Sequence, residues 1–142
     1  MRYLCALLLL PTEAFAWEFS SRPLCRLSHQ NDSAGIVITH DPSIPEYRLS
    51  LDLKAGAWAP SATFGMAFEG GRALTIGTDR HAVEGTRLSV RDRGFGNVLD
   101  GLEFNTTATA FTESQGVRFS LEGAAPEVRR FRSCVAPPAP TS

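Results

Sequence analysis

The stretch Glu46–Lys54, EYRLSLDLK, decides the fold class. Tyr47, Leu49, Leu51 and Leu53 alternate strictly with Arg48, Ser50, Asp52 and Lys54. Successive side chains of a strand point to opposite faces of a sheet. Period two sustained over nine residues therefore predicts an antiparallel strand with one face in a core and the other in water.

The same alternation recurs on both sides of this stretch. In GVRFSLEG (116–123), Val117, Phe119 and Leu121 face one way, and Arg118, Ser120 and Glu122 the other. TFGMAFEGGRALTIG (63–77) reads as a hairpin, with Phe64, Met66 and Phe68 in one arm, Gly70-Gly71 near the turn, and Leu74 and Ile76 in the other. Weaker strands are LCRLSHQ (24–30), GIVITH (35–40), TRLSVRD (86–92) and TATAFTE (107–113). That makes about seven to eight short strands. They are separated by NDSAG, DPSIP, KAGAWAP, TDRHAVEG and SQG, with Pro42, Pro45 and Pro60 in connections that need no ladder N–H. Short alternating strands with regular turns predict a mainly β chain folded as an antiparallel β-sandwich.

Two stretches change period. In GFGNVLDGLEF (94–104), Phe95, Val98, Leu99 and Leu102 share one face of a short helix, with Asn97 as candidate N-cap and Gly101 weakening the segment. In AAPEVRRFRSC (124–134), Pro126 suits a first helical turn, Val128 and Phe131 share a face, and Arg129, Arg130 and Arg132 face solvent. Cys134 is then expected just past the end of this helical segment.

The N-terminus has the layout of an export signal. Arg2 precedes the apolar run Tyr3–Leu10, Pro11 ends it, and Ala14-Phe15-Ala16 is an A-x-A cleavage sequence. Residues 1–16 are accordingly expected to be a signal peptide, 17–134 a single β-sandwich domain, and 135–142 a disordered Pro-rich tail. The apolar run is shorter than the roughly 20 residues of a bilayer span, and no membrane span is expected. Cys5 would leave with the leader, so Cys25 and Cys134 are expected to pair in an oxidising compartment, periplasmic or secreted. The net charge of −1 argues against a nucleic-acid partner, which calls for a basic face.

Taken end to end, an early tryptophan (Trp17) is followed by the C-x-L strand of Cys25 to Leu27. Alternating strands and a short VLDGL helix come next, and the chain closes on FSLEGA and then F-x-x-C at Phe131 to Cys134. This pattern resembles the small periplasmic proteins of the invasion-associated locus B type. The resemblance implies an exported β-sandwich with no assigned catalytic residues, in a family of which some members are linked to host-cell colonisation. Many of them carry a central cysteine pair, which this chain lacks.

Candidate chemistry is sparse. Asp79, His81 and Glu84 fall within TDRHAVEG, and His40-Asp41 and His29 offer further imidazole and carboxylate, the ligand types of a zinc site. No HExxH, GxSxG or P-loop pattern accompanies them, and RGFGN (93–97) reads as a turn with glycine at positive φ. Arg91 and Arg93, together with Arg129, Arg130 and Arg132, would form an anion-binding or partner patch if the two groups converged. Trp17 and Trp58 lie outside the clean strands, either stacking on a ligand or covering the end of the core. Asn31 and Asn105 head N-glycosylation sequons. The function expected is an exported, non-enzymatic binding module for an unidentified protein or glycan, acting through a surface or sheet edge, with no cofactor and no metal. The alternatives are a secreted inhibitor of a hydrolase working through the TDRHAVEG loop, and a metal-dependent hydrolase centred on Asp79, His81 and Glu84.

Overall fold

Backbone pairing converts those alternations into two antiparallel sheets. The computed structural model describes residues 16–136. The signal-peptide reading of 1–16 therefore lies outside the described residues except for Ala16, and so does the Pro-rich tail beyond Ala136. The strands in chain order are β1 (Glu18–Ser20), β2 (Cys25–Gln30), β3 (Ala34–Asp41), β4 (Glu46–Leu53), β5 (Phe64–Glu69), β6 (Leu74–Thr78), β7 (His81–Glu84) and β8 (Arg87–Asp92). Helix α1 (Gly96–Glu103), β9 (Thr107–Phe111), β10 (Gly116–Ser120) and α2 (Ala124–Val135) complete the chain. One sheet has the order β1-β2-β3-β4-β8-β7 and the other β10-β9-β5-β6.

The register confirms the face assignments. One inward row of the larger sheet runs Leu27, Ile38, Leu49, Val90, and the next runs His29, Ile36, Leu51, Leu88. Leu27, Ile36, Ile38, Leu51 and Leu88 lose all solvent contact. Each such side chain contributes roughly 1.5–3 kcal/mol of transfer free energy. Phe64, Met66, Phe68, Ala108, Ala110 and Phe119 of the smaller sheet complete the same core. Ten strands form rather than seven or eight. The two additional ones, β1 and β7, are three and four residues long and sit at the edges of the larger sheet. Their own pattern is too short to announce them. β1 is held by β2 and by Glu127 of α2, whose Oε2 accepts the Phe19 N–H at 3.1 Å. β7 closes a tight hairpin with β8, Glu84 facing Arg87 across Gly85 at φ 60°, a left-handed turn position that glycine adopts without steric cost.

Both helices form on the expected residues, with two corrections. Phe95, Val98, Leu99 and Leu102 are all buried, but Asn97 does not cap α1. Phe95 occupies the N-cap position and no side chain bonds the free amides there. Cys134 lies within the last turn of α2 rather than beyond it. From there it bonds Cys25 at the start of β2, with the two Cα atoms 5.9 Å apart and 109 positions apart in sequence. The bridge ties β2, the second strand of the larger sheet, to α2, the last of the described elements. α2 also reaches α1 through Arg132, whose Nη2 donates to Asp100 Oδ1 at 2.6 Å. The Arg132 Nε lies 3.0 Å from Glu103 Oε1, an ion contact without hydrogen-bond alignment.

Candidate functional site: a cleft between the sheets

The two sheets diverge where β6 hands the chain to β7. Thr78 ends the smaller sheet, Asp79 and Arg80 make the corner, and His81 starts an edge of the larger sheet. Between them lies a cleft of about 540 Å³, within the range of small-ligand sites. Its floor is apolar: Leu49 and Val90 from one sheet, Phe64, Met66 and Ile76 from the other, and Phe95 and Val98 at the start of α1. The wall is largely backbone: Gly65 and its partner Gly77 turn their side-chain positions to the outer face, where Phe111 lies against Gly65, and Gly94 and Gly96 contribute no side chains. A Cβ placed on Gly94 or Gly96 would meet nothing within 4 Å. Neither glycine has positive φ, so the RGFGN segment is not the left-handed turn expected of it, and its missing side chains leave room at the cleft.

The mouth of the cleft is polar. Arg80 borders it, and its guanidinium makes no ion pair or hydrogen bond among the described residues. Asp92 borders it too, with Oδ1 accepting the Arg93 amide at 2.6 Å. Arg91 reaches the rim, but its register position opposite Arg48 turns it to the outer face, where Nε approaches Glu46 Oε1 at 3.7 Å.

The arginines singled out in the sequence divide between sites. Arg129 and Arg130 border a second, more open hollow with Phe19, Pro126 and Cys134. Arg130 is paired with Glu127 at 2.6 Å and Arg132 with the α1 carboxylates. Arg91 and Arg93 are exposed at the end of β8. Neither of these two hollows is bordered by members of both groups.

The histidines divide as well. His81 and Val83 take the inward side of β7, and the His81 Nε2 lies 2.8 Å from the Ser61 carbonyl. TDRHAVEG is therefore mostly strand rather than a free loop. His40 packs against the Tyr47 ring at 4.6 Å. His29 stacks on Trp17 at 4.7 Å with rings 9° from parallel. Burial holds the His29 imidazole below its usual value, against a hydrogen bond with the Ala16 backbone that raises it. His29 sits in β2, four strands across the sheet from β7, a separation of about 19 Å at about 4.8 Å per strand. His40, in β3, is about 14 Å away on the same spacing. These separations preclude a shared metal site, and among the described residues no three His, Cys, Asp or Glu side chains cluster closely enough to hold an ion.

Trp17 and Trp58 belong to the core rather than to a ligand surface. Both are 4% exposed, and their indole N–H groups donate to the Ser120 and Leu51 carbonyls at 2.8 and 3.1 Å. The two sequon asparagines are spent on the fold. Asn31 Nδ2 donates to the Arg118 carbonyl, and Asn105 Nδ2 to the carbonyls of Arg72 and Gly101. The cleft itself had no motif to mark it. The clustered glycines of RGFGN were the available signal, and they were readable only once α1 and β6 faced each other.

No family model, curated protein or solved structure matches this chain. The disulfide is present, and among the described residues no helix is long and apolar enough to cross a membrane.

Proposed function

We propose that this chain is an exported binding module, periplasmic or secreted, that receives its ligand in the cleft between the sheets. The observation that carries the reading is the combination of an apolar floor with an unpaired arginine at the mouth, the arrangement by which small sites gain affinity from burial and orientation from a few polar groups. Export is supported by the leader-like layout of residues 1–16 and by the Cys25–Cys134 bridge, which suits an oxidising compartment. The resemblance to the invasion-associated locus B type agrees with a role at the cell envelope or toward a host. Binding is favoured over metal-dependent hydrolysis because His81 is held by a backbone carbonyl, far from the other imidazoles. It is favoured over hydrolase inhibition because TDRHAVEG is absorbed into a sheet edge.

The test is ligand capture. The purified domain is incubated with an extract of exported proteins and metabolites, repurified, and examined by native mass spectrometry beside Gly96→Trp, which adds a large side chain at a residue that lines the cleft. An adduct on the wild type that the variant lacks is expected. No adduct, or the same adduct on both, would overturn the reading.

A further inference from the structure

We infer that the occupant of the cleft is an extended peptide segment that adds as a fifth strand to the smaller sheet along β6. This rests on the binding reading above and names the partner class. The first ground is the state of the sheet edges. An edge strand presents a row of unpaired N–H and C=O groups, which proteins ordinarily blunt with charge, proline or a cover. Three of the four edges here are covered or capped. The Phe19 amide of β1 is taken by Glu127. The Arg118 and Ser120 carbonyls of β10 accept from Asn31 and Trp17. β7 is flanked by the connector at 58–61, through Trp58 N–H to the Gly85 carbonyl at 2.9 Å and through His81 to Ser61.

Among the described residues no cap or connector bonds the backbone of β6, and α1 faces it only across the cleft. Its sequence, Leu74-Thr75-Ile76-Gly77-Thr78, carries neither charge nor proline, and none of its residues is fully buried. Its backbone groups bond only β5 among the described residues.

The second ground is the position of the cleft. Ile76, Gly77 and Thr78 form one of its walls, so a strand added at β6 would send alternate side chains inward, toward Phe64, Val90, Phe95 and Val98. The recognised segment is therefore one with alternating apolar residues. Backbone pairing supplies affinity and the cleft supplies side-chain preference, the division of labour in strand addition. Arg80, two residues past the end of β6 and without an ion-pair partner, selects a carboxylate at the end of the segment that meets it.

The experiment titrates the intact exported domain with a synthetic peptide of alternating valine and threonine ending in glutamate. A second peptide has the same side chains, but the amides along its pairing edge are N-methylated. The expected result is slowed hydrogen exchange, at least tenfold, confined to amides of Leu74–Thr78, and at least tenfold weaker binding of the methylated peptide. Ile76→Lys, checked for folding by circular dichroism, should weaken the unmodified peptide by a similar factor; if that variant fails to fold, the methylated peptide on wild-type protein still decides. Equal binding of both peptides, protection elsewhere than β6, or no binding at millimolar peptide would overturn the assignment. So would a concentration-dependent dimer protected at β6, which would make a second copy of the chain the occupant. An adduct captured in a Gly96-dependent way, with no peptide pairing, would remove the partner class and leave the binding reading standing.

Discussion

Replacing Gly101 with alanine sets helix propensity against packing. Gly101 is an interior residue of α1 and fully enclosed. Alanine in a helix interior ordinarily gains about 0.5–1 kcal/mol over glycine. Here the added Cβ would stand 2.3 Å from Phe68 Cδ2, 2.4 Å from Cγ and 2.5 Å from Cε2, against a comfortable carbon separation of about 3.5–4.0 Å. Phe68 is 1% exposed and lies in β5 between β6 and β9, so its ring cannot swing into solvent. Relief has to come from moving α1 off the sheet, and overpacking of this kind costs about 1–3 kcal/mol. With three ring atoms overlapped, the upper half of that range applies. The net expectation is a loss of about 1–2 kcal/mol, or roughly 4–8 °C in Tm for a domain of this size. Urea and thermal unfolding of Gly101→Ala, Phe68→Leu and the double variant would measure it. The cycle should show about 1 kcal/mol or more of favourable coupling, because leucine vacates the space the methyl needs. Gly96→Ala is the control in the same helix, since its Cβ meets nothing within 4 Å, and it should be near neutral. A raised Tm for Gly101→Ala, or an additive cycle, would refute the reasoning.

Three further outcomes are expected. Changing Cys25 and Cys134 together to serine frees a loop spanning 109 positions, worth at most about 4.8 kcal/mol in the chain-entropy model; a loss below about 1 kcal/mol in urea titration would mean that α2 docks unaided. His29 has a folded-state pKa below its unfolded value of 6.5, so the unfolded chain binds more protons in the window just below that pH. Its contribution to stability should be complete above pH 6.5 and fall as the pH drops through the depressed value. His29→Gln should flatten that part of the stability profile. Asn31→Ala loses the bond to Arg118 and the two that Oδ1 accepts from Ser33 and Ala34; a loss of about 1–2 kcal/mol is expected by chemical denaturation, and no change would mean that water replaces all three.

Strand faces were legible because they are local. The alternation of Tyr47, Leu49, Leu51 and Leu53 requires only that neighbouring side chains point oppositely, and the register of β4 obeys it, although Ser50 on the opposite face is buried as well. The hairpin of Phe64 to Ile76 and the helical face of Phe95, Val98, Leu99 and Leu102 were legible for the same reason, since periods of 2 and 3.6 are written within a few residues. β1 and β7 were not, because three or four residues carry no period and gain their order from β2, β8 and the Glu127 carboxylate. Gly101 read as a flaw in a helix. In the fold it is the point at which α1 touches Phe68. No alternation claims Trp17 or Trp58, so the sequence leaves them between a ligand surface and the end of the core; their indoles cover the core and bond carbonyls there.

The sequence by itself determined that the chain is mainly β, which face of each longer strand is apolar, where both helices lie, and that two distant cysteines were available to join. Only the tertiary structure decided which sheet each strand entered, that the arginines and histidines would be separated rather than gathered, and that a cleft would open beside β6. The reason is one of range. A strand's periodicity reports the polarity of its two sides, whereas a cleft is a volume left between elements whose pairing partners lie tens of residues away.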